Sequence, residues 1–130
     1  MNATHYDEVL ALLADYHHGL YHLDLDRLRK VFTPEATYAT VVDGSLLGLT
    51  IEAYFDRLTR RTAPAEEGVD SNPRVRSIRF AGENTALAEV ESSMFGHDYH
   101  DFLSLLRVDG RWRVQSKVFE GVPHSSEEGS

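Results

Sequence analysis

The sequence predicts an α+β domain in which helices lie on one face of a largely antiparallel sheet. Two observations carry this. Apolar residues recur at helical spacing early in the chain, and four strand-like patterns fill its second half. Helices first and strands last indicate segregated layers, not the alternating units of a parallel sheet.

The first helix is expected over residues 5–22, where Val9, Leu12, Leu13, Tyr16, Leu20 and Leu23 step by three and four to form one apolar stripe. Asp24 then caps a second short helix whose Leu25, Leu28 and Phe32 share a face, and Pro34 ends it by disfavouring helical geometry at Thr33. Residues 36–42 are β-branched, aromatic or small, and Asp43-Gly44 turns them into a partner strand at 45–48. Thr50 reads as the cap of a third helix with Ile51, Tyr54, Phe55 and Leu58 on its buried side. A polar loop with two prolines spans 61–73. Strands follow at 74–80, 85–95, 100–108 and 111–119, the last two joined through Asp109-Gly110.

Composition narrows the function. One domain is expected over residues 1–120, with a tail at 121–130 too rich in Ser, Glu and Gly to pack. With no cysteine the chain has no disulfide or thiolate chemistry, which suits a reducing, cytoplasmic setting. A net charge of −8 repels phosphate backbones, and no apolar run is long enough to span a bilayer, so neither nucleic acid nor a membrane is an expected partner. The nine glycines form no phosphate-binding loop, and no cofactor is expected. No metal is expected either: alternation along a regular strand sends His97 and His100 to different faces.

Facing residues on paired strands share a sheet face, so register decides what lines the interior. A three-residue loop over 108–110, with Gly110 in the left-handed conformation of a bulge, pairs Leu106 with Trp112 and Ser104 with Val114. That choice puts Phe102, Ser104, Leu106, Trp112, Val114, Ser116 and Val118 inside. It sends Tyr99, Asp101, Leu103, Leu105, Lys117 and Phe119 to the outer face, where so much apolar surface predicts a homodimer interface aligned by Asp101 and Lys117.

Two segments carry a family resemblance: residues 16–26, YHHGLYHLDLD, running into Phe32-Thr33-Pro34-Glu35-Ala36, and residues 101–114, DFLSLLRVDGRWRV, running into Lys117-Val118-Phe119. They and the element order resemble the nuclear transport factor 2-like superfamily, which includes ketosteroid isomerases, scytalone dehydratase and SnoaL-like cyclases, and within it the branch named putative lumazine-binding proteins. The resemblance implies a cone-like α+β barrel that commonly dimerises through its sheet. It also aligns Tyr16 with the helix-one tyrosine that ketosteroid isomerases aim at a developing oxyanion. The base aspartate of those enzymes falls on Thr40 and their second oxyanion acid on Ser104. Neither residue can do that work, so ketosteroid isomerisation is not implied.

The expected function is therefore binding of a small molecule in a mostly apolar internal pocket formed by Tyr16, Phe32, Tyr38, Phe55, Met94 and Phe102, with Thr40, Ser104 and Ser116 supplying directed hydrogen bonds. An alternative makes the same pocket an isomerase, dehydratase or cyclase site, in which Tyr16 stabilises an enolate and His17 or His97 moves the proton. A third reading makes the chain an interaction module working through its sheet surface.

Overall fold

Residues 3–124 are described by the structure, a computed structural model. Helix α1 (Ala3–His22) buries Val9, Leu12, Leu13, Tyr16, Gly19 and Leu20 along the expected stripe. It ends where Leu23 takes a positive φ of 50° and Asp24 N donates to Gly19 O at 2.8 Å, the closure in which glycine is the usual residue. The Asp24 carboxylate then accepts from Arg27 N at 3.1 Å and starts α2 (Leu25–Val31).

Helix α2 stops one residue earlier than the sequence suggested. Phe32 already belongs to β1 (Phe32–Val42), and Pro34 sits inside that strand. Proline has no N–H to give a ladder, and it falls where the pairing of β1 with the last strand slips between Phe32 and Thr37. Strand β2 (Ser45–Thr50) runs directly into α3 (Ile51–Leu58), with the Thr50 hydroxyl accepting from Ala53 N at 3.2 Å.

The remaining strands are β3 (Arg74–Phe80), β4 (Thr85–Met94), β5 (His97–Val108) and β6 (Arg111–Pro123). One six-stranded sheet results, in the order β2-β1-β6-β5-β4-β3, antiparallel except between β1 and β6. The sheet curves around the helices without closing, because β2 and β3 remain as its edges; the expected barrel is an open one. Further boundaries differ from expectation. Phe95-Gly96 forms a tight turn with both φ values positive, so His97 and Asp98 are strand residues, not loop residues. Strand β6 continues to Pro123, which takes Gly121, Val122 and Pro123 out of the expected tail; residues 125–130 of that tail lie outside the described residues. Among the described residues no helix is long and apolar enough to cross a membrane.

The β5–β6 hairpin reverses the faces assigned to β5. Its turn is the two-residue Asp109-Gly110, with Val108 opposite Arg111 and Leu105 opposite Val114, and the extra residue comes later, at Gln115, before Ser104 meets Ser116. A bulge there lets Trp112 and Val114 face inward and then turns Lys117 and Phe119 inward as well. Asp101, Leu103 and Leu105 follow their partners inside and are at most 2% exposed. Phe102 and Val118, about half exposed at 48% and 50%, lie outside with the Ser104–Ser116 pair.

Candidate functional site

The interior assembles four polar side chains from four elements. The Tyr16 hydroxyl, from α1, donates to Asp101 Oδ2 on β5 at 2.7 Å. Lys117 Nζ, from β6, donates to the Tyr54 hydroxyl on α3 at 3.1 Å and lies 4.0 Å from the same Asp101 oxygen. Aromatic rings surround the ammonium, which is 5.2 Å from the centroid of Tyr16, 5.0 Å from Tyr54, 5.9 Å from Tyr38 and 5.1 Å from Phe119. Tyr38 and Tyr54 stack with centroids 4.4 Å apart.

Burial sets the proton positions. It pushes the Tyr16 hydroxyl well above the ordinary tyrosine range, and the adjacent Asp101 charge pushes it further, so Tyr16 remains a donor at neutral pH. Tyr54 is raised by burial too, against the pull of Lys117. For Lys117, burial alone would lower the ammonium; the Tyr16, Tyr54 and Asp101 oxygens outweigh it and hold Lys117 well above the usual lysine range. Lys117 is therefore a fixed cation. Asp101 Oδ1 is buried and has no hydrogen-bond partner among the described residues.

A cavity of about 30 Å³ adjoins this cluster, lined by Asp101, Lys117, Tyr38, Tyr54 and Met94 among others, with Arg57, Arg61, Phe95 and Tyr99 at its edge. That is room for one water-sized group, far below the roughly 300 Å³ at which small-molecule pockets begin. The hollow expected from the sequence is thus nearly filled by the protein's own side chains. A larger groove, about 490 Å³, runs outside it between α1 and β3–β4 and shares the Ser92 and Met94 walls.

The residues singled out in the sequence divide between these places. Tyr16, Tyr38 and Met94 stand in or against the cluster, while Phe32 and Phe55 pack edge to face in the core at 5.9 Å. Thr40 is buried, but its hydroxyl donates to Phe119 O at 2.6 Å and so is occupied. Phe102, Ser104 and Ser116 are on the outer face and do not line the interior, the consequence of the Gln115 bulge. The same bulge removes Asp101, Leu103, Leu105 and Lys117 from any outer interface, since all four are buried within this chain; Tyr99 and Phe119 turn inward beside them. His17 Nε2 meets Ser71 Oγ at 2.7 Å, outside the cluster but in the wall of the larger groove that Tyr16 and Met94 also line, and its imidazolium is disfavoured by burial and by His18 and His22. His97 Nδ1 meets Phe95 O at 2.9 Å at the turn. Alternation divides the polar side chains of residues 97–101: Asp101 goes inside, and His100 lies outside between Glu89 and Glu91 at 2.6 and 3.2 Å.

Asp101 and Lys117 are functional candidates that the sequence places on the outer face, and Tyr54 is one that it places in the core without a functional part. The available signal was that Asp101 and Lys117 share a strand face with Tyr99, Leu103, Leu105 and Phe119 and are the charged residues among them, a pattern compatible with either face.

Residues 4–120 match the family described as "Putative lumazine-binding". The chain belongs to that family. A curated relative is the aldolase FrzH of Cladobotryum sp, 29% identical over 125 residues that cover 95% of this chain and 96% of that protein. Among solved structures, an NTF2-like protein of unknown function from Shewanella baltica OS155 has a TM-score of 0.84 at 28% identity, covering 95% of this chain and 98% of the other. Another, from Silicibacter pomeroyi DSS-3, has a TM-score of 0.82 at 27% identity, with 93% and 99% covered. The chain is a nuclear transport factor 2-like protein.

Proposed function

We propose that this family member binds a small carbonyl compound at the Tyr16–Asp101–Lys117–Tyr54 cluster and moves a proton at the carbon beside that carbonyl. The observation that carries this is Asp101 itself. One of its oxygens is held by Tyr16, the other is buried with no hydrogen-bond partner among the described residues, and the residue lines a water-sized space. An unsatisfied buried carboxylate oxygen costs stability unless something uses it. In this reading Asp101 Oδ1 takes the proton, and the Lys117 ammonium with the Tyr54 hydroxyl stabilises the enolate oxygen in a dry setting. Asp101 replaces the histidines of the sequence-based alternative, which lie outside the cavity. The family's description and the aldolase name of one relative support the proposal, because aldol bond formation also passes through an enolate.

The ketone 4-oxo-4-phenylbutanoate tests it. In D₂O the chain should accelerate exchange of the methylene protons beside the ketone, followed by NMR, and Asp101→Asn should lower that rate by about 10²-fold or more. Binding without exchange would return the chain to the passive small-molecule carrier. Absence of both across a series of ketones would leave the sheet surface as the working part.

We also propose that two copies pair through the outer face, where Phe102, Val118 and Val41 are 48%, 50% and 59% exposed on the adjacent strands β5, β6 and β1.

A further inference from the structure

The edge of the interior cavity carries charge of one sign. Arg57 lies in the last turn of α3 and Arg61 in the turn that follows it, and both line the same cavity as the buried Lys117. Among the described residues neither arginine has an acidic partner, in contrast to Arg27, Arg29, Arg60, Arg74 and Arg76; Arg79, Arg107, Arg111 and Arg113 have none either, but none of those four lines this cavity. In a chain of net charge −8, two unpaired guanidinium groups beside one cavity mark the place where an anion is wanted. Arg61 is instead laid over Phe95, 4.6 Å from the ring centroid, and both residues line the cavity.

Resting on the carbonyl reading of the cluster, we propose that the compound this site takes carries an oxyanion, a carboxylate or a phosphate, at the end remote from its carbonyl, and that Arg57 and Arg61 bind it. Guanidinium forks match such groups with paired hydrogen bonds. An arriving anion draws Arg61 off Phe95, opens the way inward, and leaves the uncharged carbonyl end to reach Asp101 and Lys117. The small volume is then the resting arrangement of a site that widens for charged compounds.

Three probes of one shape separate the possibilities: 4-oxo-4-phenylbutanoate, its methyl ester, and 3-oxo-3-phenylpropylphosphonate, titrated against the full chain by amide chemical shifts. The expected result is at least tenfold tighter binding of one or both anions than of the ester, with the tighter anion identifying the group. In the double variant Arg57→Gln/Arg61→Gln that preference should fall to about one. Equal affinity for the three in the native chain, or a preference that survives the double variant, overturns the oxyanion proposal and leaves the carbonyl reading standing. If none of the three shifts any resonance of the cavity-lining residues, both are overturned.

Discussion

Replacing Lys117 by methionine removes a cation from a place where Asp101 remains buried beside it, 2% exposed. Taking one partner from a buried pair costs about 3–5 kcal/mol, so Lys117→Met should lower the urea unfolding free energy by about that amount. The double variant Lys117→Met/Asp101→Leu should recover much of the loss, because no unpaired charge is left inside. Equal losses in the single and double variants would mean that the pair is not coupled. Gly19 makes a second argument at this scale. A Cβ there would sit 2.6 Å from Leu28 Cδ2, and Leu28 is fully buried and cannot swing aside. Alanine would gain about 1 kcal/mol of helix propensity and lose about 1–3 to overpacking, so a melting temperature a few degrees lower is expected for Gly19→Ala.

Among the elements, helices were the most legible in the sequence. The stripe from Val9 to Leu20 and the caps at Asp24 and Thr50 are local signals, and the structure uses them as written. The faces of β5 and β6 were not legible, because a single bulged residue changes the side of everything beyond it while leaving the strand pattern intact. Placing the extra residue at Gly110 or at Gln115 satisfies Trp112 equally well, and only packing against α1 and α3 decides between them. Gly121 follows from the same pairing. It lies opposite Tyr99, whose Cε1 would be 2.7 Å from a Cβ at that position. Gly121→Ala should therefore push the Tyr99 ring into the cavity, seen as a changed near-ultraviolet circular dichroism spectrum and weakened ketone binding. The 59–73 connection is tied to α1 through Tyr21, whose hydroxyl donates to Val69 O at 2.6 Å, and through His17 and Ser71. Because His17 has a lowered folded value, the unfolded chain takes up its proton more readily. The contribution is complete above the unfolded value of about 6.5 and is lost as pH falls from there through the folded value. Urea midpoints measured from pH 8 to pH 5 should fall less steeply in His17→Gln than in the native chain.

For the molecule as a whole, the layer arrangement and element order were readable, since both follow from periodicity summed along the chain. The interior chemistry was not, because its four polar groups come from residues 16, 54, 101 and 117 and meet only after the sheet has curved. Assembly belongs to this scale too. Phe102→Glu with Val118→Lys changes only side chains on the outer face, so small-angle scattering should report a monomer with an unaltered melting curve, against a dimer for the native chain. A native chain that is monomeric at high concentration would remove the pairing proposal.

The bulge at Gln115 bears on how relatives of this chain are compared. A homologue that kept every residue between Val114 and Lys117 but paired them without a bulge would present the side chains that follow to the opposite environments, so a lysine aligned with Lys117 would face solvent and have no share in the buried cluster; one lacking Gln115 would return to plain alternation and keep that lysine inside. Within such a lineage, gain or loss of the bulge itself would take Lys117 away from Tyr16, Tyr54 and Asp101 more completely than a point substitution, without disturbing the scaffold around them.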